Sequence, residues 1–169
     1  MRTTTLALIT ALVAGISAQA ASAHGGQLRE VRNATKQFRD VDAARAAGYK
    51  AAGACAADPK YGGMGIHYAN DELLADGTLD PLHPEVLVYQ PGPNGRLTLG
   101  AVEYFTADAD QDLDTNDDRP SLFGVPFDGP MLGHEPGMPK HYDLHVWLYE
   151  HNPAGVFAAY NPRVHCPPA

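Results

Sequence analysis

Two stretches of the chain carry side chains that ordinary exposed strands rarely use together. Residues 141–149 read His-Tyr-Asp-Leu-His-Val-Trp-Leu-Tyr, and alternate residues of a strand share a face. Tyr142, Leu144, Val146 and Leu148 then form an apolar face, while His141, Asp143, His145, Trp147 and Tyr149 form the other. Imidazoles and a carboxylate beside large aromatics suit the wall of a pocket, the rings giving shape and the histidines giving chemistry. The second stretch is Leu97, Leu99, Ala101, Glu103 and Phe105, where alternation sets one carboxylate in an apolar row. If that row faces the core, Glu103 needs a partner, because an isolated buried charge is very costly. A metal ion, a protonated histidine or an arginine would serve.

His67 adds a third element, entered through the glycine-rich turn Gly62-Gly63-Met64-Gly65 and pointing away from its neighbours Ile66 and Tyr68. His67, Glu103, His141 and His145 together offer three imidazoles and a carboxylate, a donor set suited to Zn, Fe, Mn or Cu. Spacing restricts which of them can share one ion. On a strand rising about 3.3 Å per residue, His141 and His145 stand about 13 Å apart at their Cα atoms; Asp143 and His145 are better placed. The expected ligands are His67, Glu103, His145 and either His141 or Asp143, with Tyr104, Trp147 and Tyr149 shaping the pocket. A metal-free acid/base pocket built on the same groups is the alternative. A helical His-x-x-x-His pair would match the zinc peptidase pattern, but the glutamate needed after the first histidine is Tyr142 here. Two functional classes follow: a metal-dependent enzyme acting on a small molecule, and a non-catalytic protein that carries a metal or ligand through the same groups.

Two further metal readings arise. Asp108, Asp110, Asp112, Asp114 and Asp118 alternate like the opening of a calcium loop. Counting from Asp108, however, the sixth and twelfth positions are Leu113 and Arg119 rather than Gly and Glu, so a solvated acidic loop is the expected state and calcium the alternative. Cleavage after Ala23 would also leave His24 as an N-terminal histidine, whose amine and imidazole can hold copper; a frayed terminus is the competing expectation. No Gly-x-Ser-x-Gly elbow, P-loop, dinucleotide-binding glycine pattern or Cys-x-x-Cys-His occurs.

The elements that must position these groups begin after a signal sequence. Arg2 precedes the apolar run Leu6–Ile16, and Ala21-Ser22-Ala23 offers a cleavage site, so residues 1–23 read as a signal peptide and residues 24–169 as one secreted, extracytoplasmic domain. Loss of Arg2 takes the formal net charge from −8 to −9. That excess argues against nucleic acid, which needs clustered Lys and Arg. No later segment is long and apolar enough to insert in a membrane. A small-molecule ligand is the partner expected. In an oxidising compartment Cys55 and Cys166 pair, closing a loop of about 110 residues worth about 4.7 kcal/mol by chain entropy.

Leu28, Val31, Ala34, Phe38 and Val41 recur at helical steps, predicting helix over Leu28–Ala47, either kinked or split in two at Asp40 or Asp42. Asn70–Ala75 reads as a short capped helix. Glu85–Gln90 and Arg96–Thr106 flank an Asn94-Gly95 turn and predict a hairpin. Tyr142–Glu150 and Val156–Tyr160 predict two more strands around Asn152-Pro153-Ala154-Gly155. A long Pro/Gly/Asp-rich loop over 108–140 remains, of a length that in a compact domain is usually functional or disordered. The assembly expected is α+β: an N-terminal helical region packed on a curved antiparallel sheet.

The segments Gly65-Ile66-His67-Tyr68, Pro84–Tyr89 (Pro-Glu-Val-Leu-Val-Tyr), Val102-Glu103-Tyr104 and His141–Trp147 resemble those of a family of short, uncharacterised exported bacterial proteins. The resemblance spans most of the mature chain and implies export and these domain boundaries; it implies no activity.

Overall fold

The computed structural model describes residues 25–135 and 137–167. The expected signal peptide at 1–23 and His24 lie outside the described residues. The order is helix α1 (25–35), a 3-10 turn Lys36–Arg39, α2 (Val41–Ala46), β1 (Tyr49–Asp58), β2 (Gly62–Asn70), α3 (Asp71–Asp76), β3 (Val86–Pro91), β4 (Leu97–Ala107), β5 (Ser121–Leu122), β6 (Val125–Pro126), β7 (Asp128–Met131) and β8 (His141–Val146). Six strands form one antiparallel sheet in the order β1-β2-β3-β4-β8-β7, and β5 pairs with β6 separately. No described helix is long and apolar enough to cross a membrane.

The N-terminal helical region divides at Asp40, whose carboxylate accepts from the Asp42 N–H at 3.0 Å and so caps α2. Gly48, at φ 96°, then turns the chain into β1. The sequence predicts no element here, because Ala51, Ala52, Ala54, Ala56 and Ala57 give no strand signal. The pairing of β1 with β2, from Tyr49↔Asn70 to Asp58↔Gly62, overrides that weak local preference. Cys55 therefore lies on an edge strand, bonded to Cys166 with Cα atoms 5.6 Å apart.

Both faces of the sheet carry buried residues. One packs on the helices through Val31, Tyr89, Leu99, Val102, Tyr104, Leu144 and Val146. The other holds Val86, Val88, Ala101, Trp147 and Val164. A bulge at Gly100 decides which β4 residues go where: Ala101 pairs with Val88, but Leu99 pairs with Tyr89. The extra residue reverses the alternation. Leu97 and Leu99 thus join the helix side with Val102, instead of sharing a row with Glu103. A Cβ at Gly100 would stand 2.5 Å from Gln90 Nε2 and 3.2 Å from Trp147 Cζ3, which explains a glycine there.

Three of the expected boundaries shift. Strand β8 stops at Val146, and Val156–Tyr160 forms no strand; a single Trp147 N–H to Val156 carbonyl bond of 2.8 Å ties it back. The loop over 108–140 is shaped by β5, β6 and β7, of which β7 completes the main sheet.

Candidate metal centre

The second face of the sheet gathers His67 from β2, Glu103 from β4 and His145 from β8. Glu103 and His145 are direct partners across β4 and β8. Glu103 also faces Val86, while His67 faces Val88 across β3. His67 and Glu103 thus stand on either side of β3, on the face that carries Val86 and Val88. His67 Nε2 stands 3.4 Å from His145 Nε2 and 3.3 Å from Glu103 Oε2, and His145 Nε2 stands 3.7 Å from the same oxygen. Two donors bound at about 2.0–2.1 Å to one tetrahedral ion lie about 3.3–3.4 Å apart. The triangle therefore has the size of three ligands on a single ion.

Charge accounting leads to the same place. Glu103 is 6% exposed, and among the described residues it has no lysine or arginine partner. Its Oε2 is buried without a hydrogen bond. Burial pushes the Glu103 carboxyl up to about 7, against the pull of His145. Burial and the neighbouring His145 hold His67 down to about 3, so it stays neutral. For His145 burial works downward, yet Glu103 and Asp143 outweigh it and raise the imidazole to about 9. Two imidazole nitrogens and a carboxylate oxygen converge on one point, where a cation would satisfy all three at once.

Asp143 is not in this group. Its Oδ1 stands 3.7 Å from His145 Nδ1, and both atoms are buried without hydrogen-bond partners. Burial works to raise Asp143, but His145 and His141 overcome it and keep the carboxyl below its usual value. A hydrogen bond from the far nitrogen of a ligating imidazole to a carboxylate so placed would fix the tautomer that leaves Nε2 free for an ion. Asp143→Asn is expected to weaken metal binding by about 10–100-fold without unfolding the protein, read by competition with a chromophoric chelator; unchanged affinity would remove Asp143 from the account.

Since an ion takes neutral imidazole, uptake must displace the proton that His145 keeps up to about pH 9. Affinity should fall about tenfold per unit as pH drops below that point, and a flat profile would mean that His145 is not a ligand.

His141 also lies outside the triangle. Its Nε2 is 3.8 Å from Asp143 Oδ2 and its ring stacks on Phe105 at 4.8 Å. The pocket aromatics expected from alternation lie elsewhere. Tyr104, on the helix side, donates to the Pro81 carbonyl at 2.7 Å. Tyr149 follows the end of β8, so alternation no longer applies, and its hydroxyl meets Thr35 and the Arg32 carbonyl on α1. Trp147 shares the site's face but packs into the Val88–Ala101 cluster and donates to the Ala158 carbonyl.

Much of the pocket wall comes from residues that sequence reasoning does not single out, His134 among them. A cavity of about 740 Å³ opens over the three donors, walled by Ala52, Ala54 and Ala56 of β1, by Phe105, and by His134 and Met138 of the long loop. The small alanines of β1 make the room. Comparison with protein-family models, curated proteins and solved structures finds no match to this chain.

Proposed function

We propose that the protein is an exported metal-dependent enzyme acting on a small, largely apolar molecule. The observation that carries this reading is the one-sided donor set: three side chains approach from the sheet, and the space opposite them is the 740 Å³ cavity. Three protein ligands with an open position mark catalytic ions, whereas structural and carried ions are closed by a fourth. A cavity of this volume falls within the range of about 300–1,000 Å³ that holds small ligands. A divalent ion of the Zn, Fe, Mn or Cu class would supply Lewis acidity at that open position.

The chain's own groups do the rest. His67 and His145 present Nε2, Glu103 adds the charge that a divalent ion favours, and Asp143 holds His145 in register. His141, lowered by burial from its ordinary range, stands against Phe105 at the cavity wall and is the residue to accept or return a proton at Nε2. Phe105, Met64 and Met138 give the cavity apolar lining. Export fits the Cys55–Cys166 disulfide, a bond favoured outside the cytoplasm.

Cobalt(II)-substituted protein separates an enzyme from a carrier. Azide should change its visible spectrum by entering the open position; a spectrum indifferent to saturating azide would mean a closed ion and reject the catalytic reading.

A further inference from the structure

The geometry points to a second cation site, for calcium, built by Asp108, Asp110 and Asp118 and tying the ends of β4 and β8 together. One carboxylate oxygen from each lies within 4.8 Å of the others. A cluster of exposed acids alone would be an ordinary solvated loop. Asp108 is not exposed: it is 2% accessible, and neither of its carboxylate oxygens has a hydrogen-bond partner. A buried, unpaired carboxylate aimed at two more carboxylates is unfavourable until a cation or a proton joins them, and a cation answers all three charges at once.

Nearby basic groups do not answer that need. Arg119 donates to the Gly129 carbonyl and Lys140 Nζ to the Gln111 carbonyl. Among the described residues, no ion pair reaches Asp108, Asp110 or Asp118. The two outer carboxylates are already held in place. Asp110 accepts from the Asp112 N–H and the Thr115 hydroxyl, both at 2.8 Å. Asp118 accepts from the Ala109 N–H at 2.8 Å and from the Tyr142 hydroxyl at 2.7 Å. Each oxygen keeps a further lone pair for an ion.

The donor set is all oxygen and all carboxylate, which selects a hard cation, and calcium, with its flexible coordination, fits three loop carboxylates more readily than magnesium with its strict octahedron. The counting rule for calcium loops misses it because the third carboxylate is Asp118, one position before the twelfth, where Arg119 stands. The mechanical consequence is specific. The Asp108 N–H donates to the Lys140 carbonyl at 2.9 Å, and Asp118 holds Tyr142, so the ion would fasten the end of β4 to the start of β8. Those two strands carry Glu103 and His145.

Affinity should be that of extracellular calcium modules, about 10⁻⁴–10⁻³ M. At ten times Kd, calcium should raise the melting temperature of the wild-type protein by about 3–5 °C. Terbium(III) should luminesce when excited through tyrosine, since Tyr142 touches Asp118, and calcium should quench that emission by competition. Asp108→Asn should lose both responses, yet in chelator it should be at least as stable as wild type, because the unpaired charge is gone. Both proteins keep His67, Glu103 and His145, so stripping of a transition metal affects them equally. Absence of a calcium response in wild type, an equal response to magnesium, or an undiminished response in Asp108→Asn would each overturn the site. If Asp108→Asn does not fold, failure of calcium to displace terbium from wild type would overturn it as well.

Discussion

His145→Ala should cost the protein its metal and a large part of its stability. Removal of a residue that only orients a ligand weakens binding by about 10–100-fold, so loss of the ligand itself should exceed about 100-fold. The stability effect has a separate cause. His145 is the charge that stands between Glu103 and Asp143, all three being buried. Taking one partner from a buried ion pair costs about 3–5 kcal/mol, because the remaining charge stays uncompensated. His67→Ala provides the contrast. That imidazole is neutral and its side chain is 19% exposed, so its loss should abolish binding to a similar degree while costing distinctly less stability. Denaturant titration of the metal-free variants measures one effect and chelator competition the other. Equal stability losses in both variants would contradict the charge assignment.

The second large effect concerns the staple. Cys55 and Cys166 are 111 residues apart in sequence, and the chain-entropy model assigns a loop of that size about 4.7 kcal/mol. A Cys55→Ala, Cys166→Ala variant is expected to lose about 4–5 kcal/mol in denaturant unfolding. Loss of less than about 1 kcal/mol would show that the C-terminal segment is held by other means. Such means exist: Gly63 donates to the Val164 carbonyl at 2.9 Å and accepts from Asn161 at 2.9 Å. Wherever the variant stays folded, metal affinity should persist, because the three donors ride on β2, β4 and β8 and not on the stapled β1.

The residues with conspicuous chemistry were the legible ones. Glu103 in an apolar neighbourhood, the His-x-Asp-x-His alternation of β8 and the hairpin around Asn94-Gly95 all announce themselves through local pattern. The α+β architecture and the cysteine pair follow from the same kind of signal. What escaped depends on tertiary partners. Strand β1 is alanine-rich and becomes a strand only by pairing with β2. The bulge at Gly100 reverses the face of Leu97 and Leu99, and strict alternation cannot anticipate an extra residue. Tyr104 and Tyr149 end on the helix side for related reasons: Tyr104 alternates with Glu103, and Tyr149 lies past the end of β8. Alternation places Asp143 on the same face as His145, but only distance separates a ligand from the group that orients it. Asp118 closes on Asp108 through the fold of a loop, which no spacing rule encodes.

Anomalous diffraction from crystals of the zinc-reloaded protein tests the central claim most directly. One full-occupancy peak should lie about 2.0–2.2 Å from His67 Nε2, His145 Nε2 and Glu103 Oε2, with its remaining side toward the cavity. Zinc found only at exposed histidines, with those three atoms bare at full loading, would contradict it.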